Sequence, residues 1–256
     1  KVPVADLPFL NTQLGYVYER KGELGMAANF AQESMRLGET LGDQKAIALA
    51  YSDLSNIFWK QSKFEKGLEY GLKSIEIFEQ RRIKDMDFDF TLYVVGNNYL
   101  ELGKYSNALN YYNQSIEMGL QYGFYNNLSD VYISLVELNA ALQDFSAAEE
   151  AGRNAVKYAT LIENNFMVMR SWLAIGKMQC LEKKYHEAIR SLTTCINVAT
   201  EDFGDEYFLS QAYEALSKAY AGTGNYVLAY NALLKFDELE DEIFTLEADQ
   251  RISKLQ

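Results

Sequence analysis

Few side chains in this sequence have the type and spacing for catalysis. The single histidine, His186, follows Lys183, Lys184 and Tyr185 at the start of an expected helix. That setting reads as a solvated surface residue rather than a general base or ligand. No second histidine is available to form a zinc pair, and Cys180 and Cys195 stand 15 residues apart with no CxxC motif, so no metal site is expected. Cys195 reads as a core thiol, and a Cys180–Cys195 disulfide is the less favoured alternative. Carboxylates are plentiful, as in Glu149-Glu150 and Asp237-Glu238-Leu239-Glu240-Asp241-Glu242. Runs of this kind are solvated helix faces, whereas acid–base work needs a carboxyl held against the proton it moves. Gly222-Thr223-Gly224 has the look of a phosphate loop but lacks the Gly-Lys-Ser/Thr that completes one. No catalytic residue, metal or cofactor is expected, and the chain reads as a non-enzyme.

The bulk composition points the same way. Apolar residues make up 48% of the 256, enough for a core, and the net charge is −12. So acidic a chain lacks the basic stripe that phosphate neutralisation requires, which excludes nucleic acid as a partner of this chain. No run of 18 or more apolar residues is present, so no membrane span is expected. The sequence opens on Lys1 with no signal-peptide core and reads as an excised or processed fragment. Both prolines, Pro3 and Pro8, lie at the N-terminus. From Phe9 onward nothing breaks a helix as proline does, so the chain reads as all-helical.

What positions these residues is a repeat. An apolar residue followed by a small or slim one occurs at Leu14-Gly15, Leu54-Ser55, Val95-Gly96, Leu135-Val136, Ile175-Gly176 and Leu216-Ser217, at intervals of 40 or 41. Three residues on come Tyr18, Phe58, Tyr99, Asn139, Gln179 and Tyr220; twelve on come Ala27, Gly67, Ala108, Ala148, Ala188 and Ala229. Six copies at a fixed period describe an array of two-helix units that bury their apolar faces only by stacking. In the third copy the expected first helix runs from about Asp89 to Leu102, the turn is Gly103-Lys104, and the second runs from about Tyr105 to Leu120.

An apolar-Gly pair, an aromatic three on and an alanine twelve on resemble the tetratricopeptide repeat, W-x2-L-G-x2-Y…A-x3-F. Copy three, with Val-Gly-Asn-Asn-Tyr and Tyr-Ser-Asn-Ala-Leu-Asn-Tyr-Tyr, fits best. Copies four and five depart at Asn139 and Gln179, copy four has Val136 for glycine, and the closing proline is missing throughout. The period of 40 resembles the long-helix variety, whose second helices carry about one and a half extra turns. The implied fold is all-α: a right-handed superhelical solenoid of six hairpins with an extended C-terminal helix. Residues 1–242 form the six-repeat domain, with repeats near 5–42, 43–84, 85–124, 125–163, 164–203 and 204–242. Residues 243–256 form the C-terminal helix, a cap or the start of a coiled coil.

In this family the first helices line a concave groove that holds peptides, so the resemblance implies a peptide or protein partner there. The expected groove residues in the N-terminal half are Tyr16, Asn56, Trp59, Tyr93 and Asn97. Asparagine both donates and accepts, which suits a peptide backbone, and aromatics serve as desolvated anchors. Trp59 and Tyr93 read equally as packing residues between helices. In the C-terminal half Glu137, Arg170, Lys177 and Lys218 complete the set, the basic residues suiting an acidic side chain or a terminal carboxylate. Thr12, Ser52 and Tyr93 stand where the chaperone-type carboxylate clamp has need of basic residues, so chaperone tails are not the expected ligand.

The last segment, from Lys235 to Gln256, spaces Phe236, Leu239, Ile243 and Leu246 three or four apart, which continues the final helix to the chain end. It resembles the segment that follows long tetratricopeptide arrays in Bacteroidetes-like membrane-anchored signalling proteins. That resemblance implies a sensor or input region of a histidine kinase or transcriptional regulator, facing the periplasm or alternatively the cytoplasm, with homodimerisation through the C-terminal helix. The alternative is a freestanding adaptor or quorum-peptide receptor.

Overall fold

The structure, a computed structural model, describes residues 3–199 and 206–253, with side chains up to Phe244. After a short 3-10 turn at Val4–Asp6, the described residues form helices and no strands. The helices pair as α1 (Leu7–Arg20) with α2 (Leu24–Leu41), α3 (Gln44–Lys60) with α4 (Phe64–Arg81), and α5 (Met86–Glu101) with α6 (Tyr105–Tyr122). They continue as α7 (Tyr125–Ala141) with α8 (Phe145–Leu161), α9 (Asn165–Leu181) with α10 (Tyr185–Val198), and α11 (Glu206–Gly222) with α12 (Tyr226–Ser253). The extended C-terminal helix is α12, 28 residues long; residues 254–256 of the expected helix lie outside the described residues. In the third copy the first helix begins three residues earlier than its sequence pattern suggests. Asp85 caps it, its carboxylate accepting from the amides of Asp87 and Phe88.

Every hairpin turns by the same device. Gly22, Ser62, Gly103, Gln143, Lys183 and Gly224, spaced 40 or 41 apart, each take a left-handed backbone with φ between 56° and 79°. The amide that follows each donates back to the carbonyl of Tyr18, Phe58, Tyr99, Asn139, Gln179 or Tyr220, at 2.8–2.9 Å. This is the Schellman closure, which satisfies a carbonyl that the helix end leaves open. Three of the six left-handed positions are not glycine, so the closure and the packing around it set the geometry there rather than backbone permissiveness.

Packing inside a hairpin depends on the small site. A Cβ on Gly96 would stand 2.5 Å from the ring of Tyr112, and one on Gly176 would stand 2.5 Å from Leu192. Position 96 thus makes room for the large, fully buried Tyr112 across the hairpin. A second cross-hairpin link joins residues 26 apart. Ser34 Oγ donates to the Pro8 carbonyl at 3.1 Å, Ser74 Oγ to the Ala48 carbonyl at 2.7 Å, and Ser115 Oγ to Asp89 Oδ1 at 2.5 Å. In the fourth hairpin the direction reverses, Ser129 donating to the Ala155 carbonyl at 3.0 Å.

First and second helices differ in burial. Along α3 nearly every residue from Ala46 to Phe58 is buried, whereas α4 buries only the stripe Gly67, Gly71, Ser74, Ile75 and Phe78. A helix walled in on most sides cannot be amphipathic, while a second helix keeps one face for solvent. The chain divides into two compact units, Lys1–Asn127 and Leu128–Gln256. The first has a core built on Ile75, Phe78, Phe88, Leu92 and Val95; the second has one built on Met169, Leu173, Leu192, Cys195 and Leu216.

Candidate functional site

In the first unit the first helices bring together a polar cluster. Tyr16 and Glu19 come from α1, Asp53, Asn56 and Lys60 from α3, and Asp87 from α5. Asn56 Nδ2 donates to Glu19 Oε1 at 2.9 Å, and Lys60 Nζ reaches the same oxygen at 2.6 Å. The Tyr16 phenol lies beside the buried Asp53 carboxyl, and each shifts the other. Burial first, then the charges of Asp53, Asp87 and Glu19, push the Tyr16 phenol far above its ordinary value. Burial, with Glu19 and Asp87 adding to it and Tyr16 opposing, raises the Asp53 carboxyl well above the ordinary 3.8. Lys45 pairs with Asp85 at 2.7 Å and Asp87 at 3.2 Å. Beside this cluster lies a cavity of about 380 Å³ lined in part by Pro8, Phe9, Thr12, Tyr16, Leu49 and Asp87. The arrangement is a set of fixed donors and acceptors against an apolar wall. It suits hydrogen bonding to an extended ligand, since no nucleophile is set against a base.

The expected groove residues of this unit separate into two groups. Tyr16 and Trp59 are half-buried, whereas Asn56 is 5% exposed, with its side-chain amide bonded to Glu19. Tyr93 and Asn97 are 6% and 2% exposed. The Tyr112 hydroxyl donates to Asn97 Oδ1 at 2.7 Å, so this asparagine joins the two helices of its own hairpin. In α5 the residues from Thr91 to Asn98 are all buried, as those from Ser52 to Phe58 are in α3.

In the second unit Glu137, Lys177 and Lys218 are exposed. Lys177 Nζ donates to Gln211 Oε1 at 3.1 Å and Lys218 pairs with Glu214. Arg170 is half-buried: it pairs with Asp130 at 2.6 Å and lies over the rings of Phe166 and Phe208, at 5.7 and 5.5 Å. Such an arginine braces α7, α9 and α11 against one another. Neither Cys180 nor Cys195 forms a disulfide. Burial raises the Cys180 thiol, with Lys218 opposing, which leaves it a poor nucleophile. His186 is exposed, and Gly222-Thr223-Gly224 is the last hairpin turn, with Gly222 against Tyr185. Among the described residues no three His, Cys, Asp or Glu side chains converge to hold a metal, and no helix is long and apolar enough to cross a membrane.

Two buried acids escaped the sequence reading although a signal was there. Asp53 occupies the site filled by Gln13, Val94, Ser134, Ala174 and Ala215 in other copies, and Asp89 the site of Pro8, Ala48, Ser129, Met169 and Ser210. An aspartate in a column of mostly small or apolar residues marks a buried charge.

Residues 91–118, from within α5 to within α6, match the family model described as tetratricopeptide repeat. The hairpins, their Schellman turns and this match agree. Residues 91–118 are a tetratricopeptide repeat, set in a solenoid of like hairpins. Stress-induced-phosphoprotein 1 of Caenorhabditis elegans is 23% identical over 161 residues, 55% of this chain and 50% of that protein. The chain thus spans about half the length of that curated relative. Among solved structures, a Rap protein complexed with Competence and Sporulation Factor superposes with a TM-score of 0.73 at 11% identity, covering 96% of this chain and 78% of that one. A signal-transduction ATPase with numerous domains and a tetratricopeptide repeat sensor, from Pyrococcus horikoshii, gives 0.68 at 19% identity, covering 97% and 38%. At these identities the superpositions establish the solenoid fold.

Proposed function

We propose that this chain is a non-enzymatic peptide or protein receptor whose binding surface is the polar cluster of the first unit. The observation that carries this reading is the Tyr16–Asp53 and Asn56–Glu19–Lys60 arrangement. It fixes donors and acceptors before any ligand arrives, so less ordering entropy is lost on binding. Tyr16, Asn56 and Trp59 are its contact residues; Glu137, Lys177 and Lys218 form a separate polar surface on the second unit, with Arg170 braced behind it. The receptor serves as the sensor region of a bacterial signal-transduction protein of histidine-kinase or transcriptional-regulator type. Likeness to a chain described as a tetratricopeptide repeat sensor supports that role. Likeness to a Rap protein complexed with Competence and Sporulation Factor favours the second reading, a freestanding peptide receptor.

The test is selection of peptides against the chain from a displayed library, with affinities then measured on variants. Asn56→Ala and Tyr16→Phe should each weaken selected peptides by about tenfold, the loss of one buried hydrogen bond, with the fold intact by circular dichroism. Peptides that bind both variants as tightly as the parent chain contradict the assignment.

A further inference from the structure

The last hairpin leaves an apolar face uncovered, and the repeat itself says what kind of element covers such a face. In the interior hairpins, second-helix residues meet the first helix of the next hairpin. A Cβ on Gly71 would stand 2.4 Å from Val95, one on Gly152 would stand 2.6 Å from Ile175, and the ring of Tyr185 lies against Gly222. Counting by the repeat, the same positions on α12 are Leu233, equivalent to Gly71 and Gly152, and Tyr226, equivalent to Tyr185. Tyr230 is equivalent to Leu68 and Ile189, which pack into the cores of their units. On α12 these side chains are bare: Tyr226 is 72% exposed, Tyr230 61% and Leu233 41%, with Phe244 at 72% further along. At 100° per residue, all four fall on one side of the helix. Ala232, buried in the core of the second unit, lies on another, with Ala229 at the border between them.

The charge on this helix narrows the occupant. Between Tyr226 and Phe244 there are five acidic residues, Asp237, Glu238, Glu240, Asp241 and Glu242, and one basic residue, Lys235. Asp237 and Glu240 project between Leu233 and Phe244 on the exposed side. A second copy of α12 would bring seven acidic residues against only Lys235 and Arg251, like charge rather than complementary charge. We propose that the exposed face of α12 docks an amphipathic helix of basic character. Its apolar stripe covers Tyr226, Tyr230 and Leu233 as a following hairpin would, and its lysines or arginines meet Asp237 and Glu240. Neighbouring helices in these hairpins run antiparallel, so the basic end of the incoming helix is its N-terminal half. This surface is separate from the peptide cluster of the first unit, and the proposal does not rest on that reading.

The probe is a designed helical peptide of about 20 residues, long enough to be helical when docked. It carries leucines at i, i+3, i+4 and i+7 spacing and lysines in its first two turns. An otherwise identical peptide has glutamates in place of the lysines. Fluorescence anisotropy on the full chain should show saturable binding of the lysine peptide, weakened by salt, and binding at least about tenfold weaker for the glutamate peptide. Leu233→Asp and Tyr230→Ser, both at exposed positions, should each weaken the lysine peptide about tenfold or more, while Asn56→Ala leaves it unchanged. Absence of saturable binding, equal binding of the two peptides, or indifference to Leu233→Asp overturns the proposal. So does a dimer in sedimentation that Leu233→Asp converts to monomer, because the occupant is then a second copy.

Discussion

Asn56 and Asn97 occupy the same repeat position and are indistinguishable in sequence, yet they have different work. Asn56 bonds Glu19 across two hairpins, whereas Asn97 accepts from Tyr112 within one. The side chain opposite decides this, and that partner lies far enough away in sequence that the repeat column does not announce it. The buried aspartates carry a consequence for stability. Asp53 keeps its proton in the folded chain to a higher pH than in the unfolded chain, because burial raises it above 3.8. Unfolding therefore releases a proton between those two values, and stability is greatest below the ordinary carboxylate range and falls as pH rises through the folded value. Asp53→Asn should be more stable than the parent at neutral pH, with the difference closing toward about pH 4. Urea midpoints measured across that range check this, and a difference that does not vary with pH refutes it. Asp89, raised by burial against the pull of Ser115 and Asn127, leaves a slope of the same sign in the variant.

The helices and their turns were the most legible part of the sequence. A period of 40 or 41 fixed the hairpins, because each left-handed turn residue and each small site recurs with it. Boundaries were less legible: Asp85 starts α5 earlier because a cap depends on one side chain, not on periodicity. The reason for Gly96 became clear only with its partner in place. Gly96→Ala should cost about 1–3 kcal/mol through overpacking against Tyr112, even though alanine favours the helix. In a Tyr112→Val background the same change should cost much less, since the ring that collides is gone. Gly103→Ala, which meets nothing within 4 Å but has φ +67°, should cost about 1 kcal/mol in either background. Chemical denaturation of the double-mutant cycle measures these couplings; additivity at Gly96 contradicts the packing account.

In the molecule as a whole, the fold could be read from sequence, whereas the exposure of each expected groove position could not. Columns of equivalent positions identify a first helix, but whether a groove position is open depends on the bulk of its neighbours: Asn56, Tyr93 and Asn97 are enclosed, while Tyr16 and Trp59 are half-buried. The two tryptophans divide the molecule conveniently. Trp59 sits in the first unit, one turn from Asn56, and Trp172 in the second, beside a cavity with Glu149 and Arg153. Their indole N–H resonances are therefore separate reporters of the two units. The most direct measurement is a two-dimensional NMR titration of the full chain with a library-selected peptide, following the Trp59 and Trp172 indole signals and the Asn56 side-chain amide. The account predicts that Trp59 and Asn56 shift together to saturation while Trp172 stays in place. A titration that moves Trp172 alone, or leaves both Trp59 and Asn56 unmoved while the peptide binds, would contradict it.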